Sequence, residues 1–221
     1  MRSRKIEIQI PVGTVKLGAA LTVPEKANSL VIFSHGSGSS RFSPRNNFVA
    51  RVLNAHGIAT LLTDLLTQQE DEDYMKRFNI ALLTKRLVAV TYHLFNDKKF
   101  EHFTVGYFGA STGAASALNA AAEFGELISA VVSRGGRPDL AHEHLSEVTA
   151  PTLLLVGGLD EPVIRFNEEA MELLHCEKEM KIIPGASHLF EEAGKLEEVA
   201  DLVAEWFEEH LVHSKKKVLI H

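Results

Sequence analysis

Phe103-Thr104-Val105-Gly106-Tyr107-Phe108 runs directly into Gly109-Ala110-Ser111-Thr112-Gly113, and the Ala-rich segment Ala114-Ala115-Ser116-Ala117-Leu118 follows. The first six residues read as a strand, and Thr112–Phe124 reads as a helix. Between them stands the pattern G-x-S-x-G, which has a mechanical meaning on a strand-to-helix turn. A turn that sharp forces the central serine into a strained backbone conformation, so the flanking positions must lack bulk. It lifts Ser111 Oγ above the carboxyl edge of a sheet. It also aims the first helical N–H groups, at the positive end of the helix dipole, toward whatever Oγ meets. A small-residue turn that lets a helix pack close to a sheet is the alternative reading.

Outward from this turn, strand-like and helix-like segments alternate from Ser29 onward, which points to an α/β fold with a mostly parallel sheet and helices on both faces. Ile6–Ile10 and Val15–Val23 read as an opening antiparallel hairpin. Leu30–Phe33, Ala59–Leu62, Ala130–Ser133, Thr152–Val156 and Met180–Ile183 are the remaining strands, for about eight in all. Helices are expected over Pro44–Ala55, with Ser43 as N-cap, and over Ile80–Phe95, Glu161–Leu173 and Leu196–His210. The acidic stretch Gln68 to Asp73 reads as a solvated loop. The connection from Arg134 to Pro151 is too short for a large cap domain. One domain, 1–213, is expected, with a basic C-terminal tail over 214–221.

Composition narrows the function classes. The chain has 221 residues, 45% hydrophobic and 24% charged, with a net charge of −6. A negative balance argues against nucleic acid, whose phosphates call for a basic surface. No apolar run approaches the roughly 20 residues of a membrane helix. The basic start, Met1-Arg2-Ser3-Arg4-Lys5, leads into an alternating strand and not into the apolar core of a signal peptide. With Cys176 as the single cysteine, no internal disulfide can form. A cytoplasmic location and a small-molecule substrate follow, with no membrane and no nucleic-acid partner; a homodimer is compatible with the sequence.

A serine nucleophile needs a base within hydrogen-bond reach. Among eleven histidines, His188 in Pro184-Gly185-Ala186-Ser187-His188 follows the last strand and stands at the same sheet edge as Ser111. His35 also follows a strand there, but a histidine in a His-Gly-x-Gly loop more often shapes the loop. The chain order Ser…Asp/Glu…His favours His188. His142, His144, His175, His210 and His213 read as surface residues, and no third ligand accompanies His142 and His144 to make a metal site. Asp160, after Thr152–Val156, is the expected acid, with Glu161 as a near alternative. Its role is to fix the histidine tautomer and stabilise the imidazolium. Oxyanion donors are expected from the backbone N–H groups of Ser37 and Thr112. Arg41 and Arg134, leaving strands at this edge, could clamp an anionic substrate group, and His35 is a further substrate-side candidate. Each arginine, like Arg45 and Arg137, could equally pair with a carboxylate such as Asp64 or Asp139 and staple loops.

Taken together, His35-Gly36-Ser37-Gly38-Ser39-Ser40-Arg41, Asp64-Leu65-Leu66-Thr67, Gly109-Ala110-Ser111-Thr112-Gly113, Arg134-Gly135-Gly136-Arg137-Pro138, Val156-Gly157-Gly158-Leu159-Asp160 and Gly185-Ala186-Ser187-His188-Leu189-Phe190 resemble the α/β-hydrolase superfamily, in its dienelactone hydrolase-like branch. The resemblance spans Val31 to Phe190. It implies an α/β-hydrolase fold and a serine hydrolase acting on an ester, lactone or thioester, with neither metal nor organic cofactor. A non-catalytic binding module on the same fold is the alternative. Dienelactone hydrolases proper use cysteine where this chain has Ser111. Similar sequences also occur fused to phosphoribosyltransferase domains, for which these 221 residues leave no segment.

Overall fold

The alternation at the N-terminus becomes a register in the computed structural model, which describes residues 3–212; the expected tail, 214–221, and His213 lie outside the described residues. Strands β1 (Ser3–Val12) and β2 (Val15–Pro24) form the antiparallel hairpin, pairing Ile6 with Leu21, Ile8 with Ala19 and Ile10 with Leu17. β2 then pairs antiparallel with β4 (Ala59–Thr63). From there β3 (Ser29–Ser34), β5 (Thr104–Ala110), β6 (Ile128–Arg134), β7 (Thr152–Gly157) and β8 (Lys178–Ile183) continue the sheet in parallel. The order across the eight strands is β1-β2-β4-β3-β5-β6-β7-β8, the architecture of an α/β-hydrolase.

That order reverses at β3, which lies between β4 and β5. At such a point the loops leaving neighbouring strands diverge to opposite faces and open a crevice beyond the carboxyl ends. The loop after β3 and the turn after β5 border that crevice.

Helices α1 (Pro44–Ala55) and α7 (Lys195–Val212) cover one face, where Val49, Leu53, Val203 and Phe207 pack with Phe33, Phe108 and Val132. On the other face lie α4 (Ile80–Phe95), α5 (Thr112–Phe124), α6 (Glu161–Leu173) and a 3-10 stretch, Pro138–Glu147; Leu87, Leu118, Leu145 and Leu154 meet there. Strands covered on both sides read as unbroken apolar runs, as in Leu30-Val31-Ile32-Phe33.

α1 begins as its sequence dictates, with Pro44 in the first turn and Ser43 Oγ accepting from the Asn46 N–H. The acidic stretch after β4 is not a loop. It forms helix α2 (Gln68–Asp71), closed by a capping box in which Thr67 and Glu70 satisfy each other's backbone N–H groups, and then α3 (Tyr74–Arg77), capped by Asp73. Glu70 also reaches Arg86 of α4 at 2.7 Å. His210 is another correction. Its side chain is mostly covered, with its ring stacked 4.2 Å from Trp206, so it belongs to the packing of α7. Among the described residues no inserted domain covers the crevice, and no helix is long and apolar enough to cross a membrane.

Candidate active site

Ser111 caps α5 with φ 52° and ψ −124°, and its side chain makes no hydrogen bond to the helix. An L-residue held there stores on the order of 1–3 kcal/mol, so the surroundings must impose it. The Ser111 N–H donates to Arg134 O at 3.2 Å, while Ser111 O accepts from the N–H groups of Ala114 (3.0 Å) and Arg137 (3.1 Å). The two motif glycines are required by close approach. A Cβ on Gly109 would stand 2.4 Å from Ala114 Cα, and one on Gly113 would stand 2.3 Å from Ser34 O. No atom of a side chain fits at either distance. The serine hydroxyl is therefore presented at the crevice, neither capping the helix nor shielded by its neighbours.

The loop after β3 lies against this turn. A Cβ on Gly36 would be 3.1 Å from Ser111 Cβ. The Ser37 N–H donates to Thr112 Oγ1 at 2.9 Å, so one expected oxyanion donor is held by the side chain of the residue that carries the other. Thr112 opens α5, and the N–H of a first helical residue has no acceptor within its own helix.

His188 and Asp160 meet at the same edge, with Nδ1 2.6 Å from Asp160 Oδ2. Asp160 is the N-cap of α6, but its side chain does not cap the helix and is left for the imidazole. Two backbone bonds tie the acid's loop to the histidine's: Gly158 N–H to Ile183 O and Leu159 N–H to Ala186 O, both 2.9 Å. The imidazole leans toward the end of β6, since a Cβ on Gly135 would be 3.6 Å from His188 Cε1. The same segment, Arg134 to Arg137, grips the Ser111 backbone, so serine and histidine share one support.

His35 is buried, 5% exposed, and both ring nitrogens are committed. Nδ1 lies 2.9 Å from Gly36 O, and Nε2 accepts from the Leu65 N–H at 3.0 Å. A carbonyl only accepts and an amide N–H only donates, so the ring is neutral with its proton on Nδ1. Burial pushes its pKa below the usual histidine value, against the Gly36 carbonyl. His35 is therefore neither a rival base nor a substrate contact; it fastens the β3 loop to the residue after Asp64.

The arginines divide. Arg41 is not free for substrate. Its guanidinium pairs with Asp64 and, at 3.2 Å, with Glu7, while its own N–H donates to Asp64 Oδ1 at 2.8 Å. Arg137 makes a two-pronged pair with Asp139, at 2.8 and 2.7 Å, over the ring of Phe166. Arg45 reaches Glu191, three residues past His188, at 3.2 Å. Arg134 is buried, with Nε and Nη1 unpartnered.

Several supports escaped the sequence reading. The Ser187 N–H donates to Glu192 Oε2 at 3.0 Å, a bond that holds the Glu192 carboxyl below its ordinary pKa. Phe190, at φ 56° and fully buried, pins the loop between them. Neither has a periodicity or a motif that marks it. The Oγ1 of Thr112 was equally invisible, because the expectation concerned only its backbone. Among the described residues no group of three or more His, Cys, Asp or Glu side chains could hold a metal.

The family model described as the dienelactone hydrolase family matches residues 17–211. The chain belongs to that family. A dienelactone hydrolase from Anabaena variabilis is 53% identical, with a TM-score of 0.92 over 96% of this chain and 100% of that one. The esterase fold of Est1E from Butyrivibrio proteoclasticus superposes with a TM-score of 0.79 at 20% identity, covering 92% of this chain and 98% of that one, a likeness of fold alone. Two Mycobacterium tuberculosis proteins, provisionally named phosphoribosyl transferases, are 50% identical over 208 residues. That match takes in 94% of this dienelactone hydrolase family member but 47% of theirs, so the chain spans about half the length of these curated relatives.

Proposed function

We propose that this member of the dienelactone hydrolase family hydrolyses a carboxylic ester, lactone or thioester of a small molecule through an acyl-enzyme on Ser111. The observation that carries the reading is the strained, uncapped Ser111 at the same sheet edge as a His188–Asp160 pair joined at 2.6 Å. In this mechanism Ser111 Oγ attacks the acyl carbonyl carbon while His188 Nε2 takes its proton. Asp160 keeps the other ring proton on Nδ1 and stabilises the imidazolium without taking that proton. The carbonyl oxygen becomes an oxyanion, accepted by the Thr112 N–H and by the Ser37 N–H as it turns from Thr112 Oγ1. The imidazolium returns its proton to the departing alcohol or thiol. Water, deprotonated by His188, then attacks the acyl-enzyme, and Ser111 leaves with the proton. The reaction draws on no metal or organic cofactor, and the cytoplasm is the expected setting for the free Cys176.

Labelling with a fluorophosphonate and mapping the modified peptide tests the assignment. The adduct is expected on Ser111 and absent from the Ser111→Ala protein. Adduct on Ser37, Ser39 or Ser116 would displace the nucleophile. No adduct at all, from folded protein that also cleaves no ester, would favour a non-catalytic binding module.

A further inference from the structure

Arg134 ends β6 at 6% exposure, and neither Nε nor Nη1 has a hydrogen-bond partner. Its guanidinium carbon lies 5.9 Å from the centre of the Phe108 ring, at the outer limit of a cation–π contact. The charge that it feels most is another cation, Arg45. Burial first, and Arg45 second, push the Arg134 guanidinium down to about 10, which still leaves it protonated at neutral pH.

Arg45 stands in the first turn of α1, which carries no acidic residue to offset the helix dipole, and its Nε is also buried and unpartnered. Its one ion pair, to Glu191 at 3.2 Å, lies on the exposed side. Burying an unpaired guanidinium costs several kcal/mol, and a second cation beside it adds to that. The other partly buried arginines are treated differently: Arg41, Arg86 and Arg137 each hold a carboxylate.

The position of this charge is informative. Arg134 O receives the Ser111 N–H, and Glu191, which holds Arg45, is three residues past His188. Three buried N–H donors and a helix N-terminus thus face one another beside the candidate nucleophile without a protein anion among them. We propose that Arg134 and Arg45 form an anion subsite that takes a carboxylate or phosphate group carried by the substrate. The substrate role rests on the ester-hydrolysis reading, whereas anion binding by the two arginines does not.

Two measurements separate these layers. The first is melting temperature in a zwitterionic buffer, with and without inorganic phosphate or acetate. Without added anion, Arg134→Met is expected to melt at or above the wild type, because an apolar chain of similar length replaces a bare charge. Added phosphate or acetate should raise the wild-type value by several degrees and the variant's by clearly less. The second compares p-nitrophenyl acetate with p-nitrophenyl esters whose acyl chains end in a carboxylate or a phosphate. The wild-type kcat/KM should favour one charged ester over the neutral one by about 10- to 100-fold, and which one wins identifies the anion. Arg134→Met should bring that ratio close to one, and Arg45→Met should lower it. A variant that melts several degrees lower, keeps the wild-type ratio and responds to anions like the wild type would make Arg134 a structural residue and overturn the proposal. If no ester is cleaved, the hydrolase reading fails while the anion-dependent melting still decides the subsite.

Discussion

His35 and His188 occupy loops at the same sheet edge, and the structure predicts opposite phenotypes for their alanine variants. His35→Ala removes a buried ring whose Nε2 accepts the Leu65 N–H at 3.0 Å and whose Nδ1–H reaches Gly36 O at 2.9 Å. Leu65 is fully buried, so its amide would be left without a partner, at about 1–3 kcal/mol. The space left by the imidazole adds about 1–2 kcal/mol if the site relaxes only in part. A total near 3 kcal/mol corresponds to a fall of about 6–12 °C in Tm for a chain of this size. His188→Ala removes a ring that is far more exposed and leaves Asp160 bordering the crevice, where water can reach it. Its stability cost should stay within about 1 kcal/mol. Loss of the base, however, should lower kcat on the order of 10⁴-fold. Thermal unfolding of both variants, beside kcat on p-nitrophenyl acetate measured well below either Tm, makes the comparison. Equal kcat losses in two folded variants, or an unchanged Tm for His35→Ala, would refute the assignment of roles.

Asp160→Asn keeps the shape of the side chain but can donate to His188 Nδ1 and select the wrong tautomer, so kcat should fall by about 10³- to 10⁴-fold with little change in Tm. A larger loss from Glu161→Gln than from Asp160→Asn would move the acid by one residue. The pH dependence of stability follows from His35, whose folded pKa lies below the unfolded value of 6.5. Below pH 6.5 the unfolded chain binds a proton that the folded chain refuses, so this contribution is whole above pH 6.5 and is lost as pH falls through the folded pKa. Urea midpoints should therefore drop between pH 7.5 and pH 5 by more in the wild type than in His35→Gln, and equal drops would remove His35 from the account.

Elements that close on themselves could be read from local sequence. Helices α1, α4, α5 and α6 have the bounds expected of them, because Ser43-Pro44, Asn79, the Ser111 turn and Asp160-Glu161-Pro162 fix their starts within a few residues. Strands run longer than expected at their ends; β1 extends to Ser3 and Val12 because β2 pairs with it there, and pairing is not a local property. Helix α2 was missed although Thr67 and Glu70 spell a capping box, since the charge of Gln68 to Asp73 outweighed the spacing. The arginines illustrate what was out of reach. Arg41 and Asp64 are 23 residues apart in sequence, so only the antiparallel seat of β2 against β4 reveals that one closes on the other.

The segment Arg134-Gly135-Gly136-Arg137 explains why the Ser111 turn holds its strain. A serine at φ 52° relaxes unless both of its peptide groups are fixed, and this segment fixes both, taking the N–H at Arg134 O and supplying the Arg137 N–H to the carbonyl. Neither grip works if the segment can shift. Arg137 is anchored by Asp139 and Phe166, while Gly135 N–H bonds to Leu155 O at 2.7 Å. The glycines are dictated by the same geometry, because a Cβ on Gly136 would collide with Ser133 Oγ at 1.9 Å and one on Gly135 would press His188 O at 3.0 Å. The strain at Ser111 is thus maintained from β6, one strand away, by a piece of chain that also seats His188. A disturbance there should misplace the serine and the histidine together, whereas a disturbance in the β3 loop reaches only the oxyanion side.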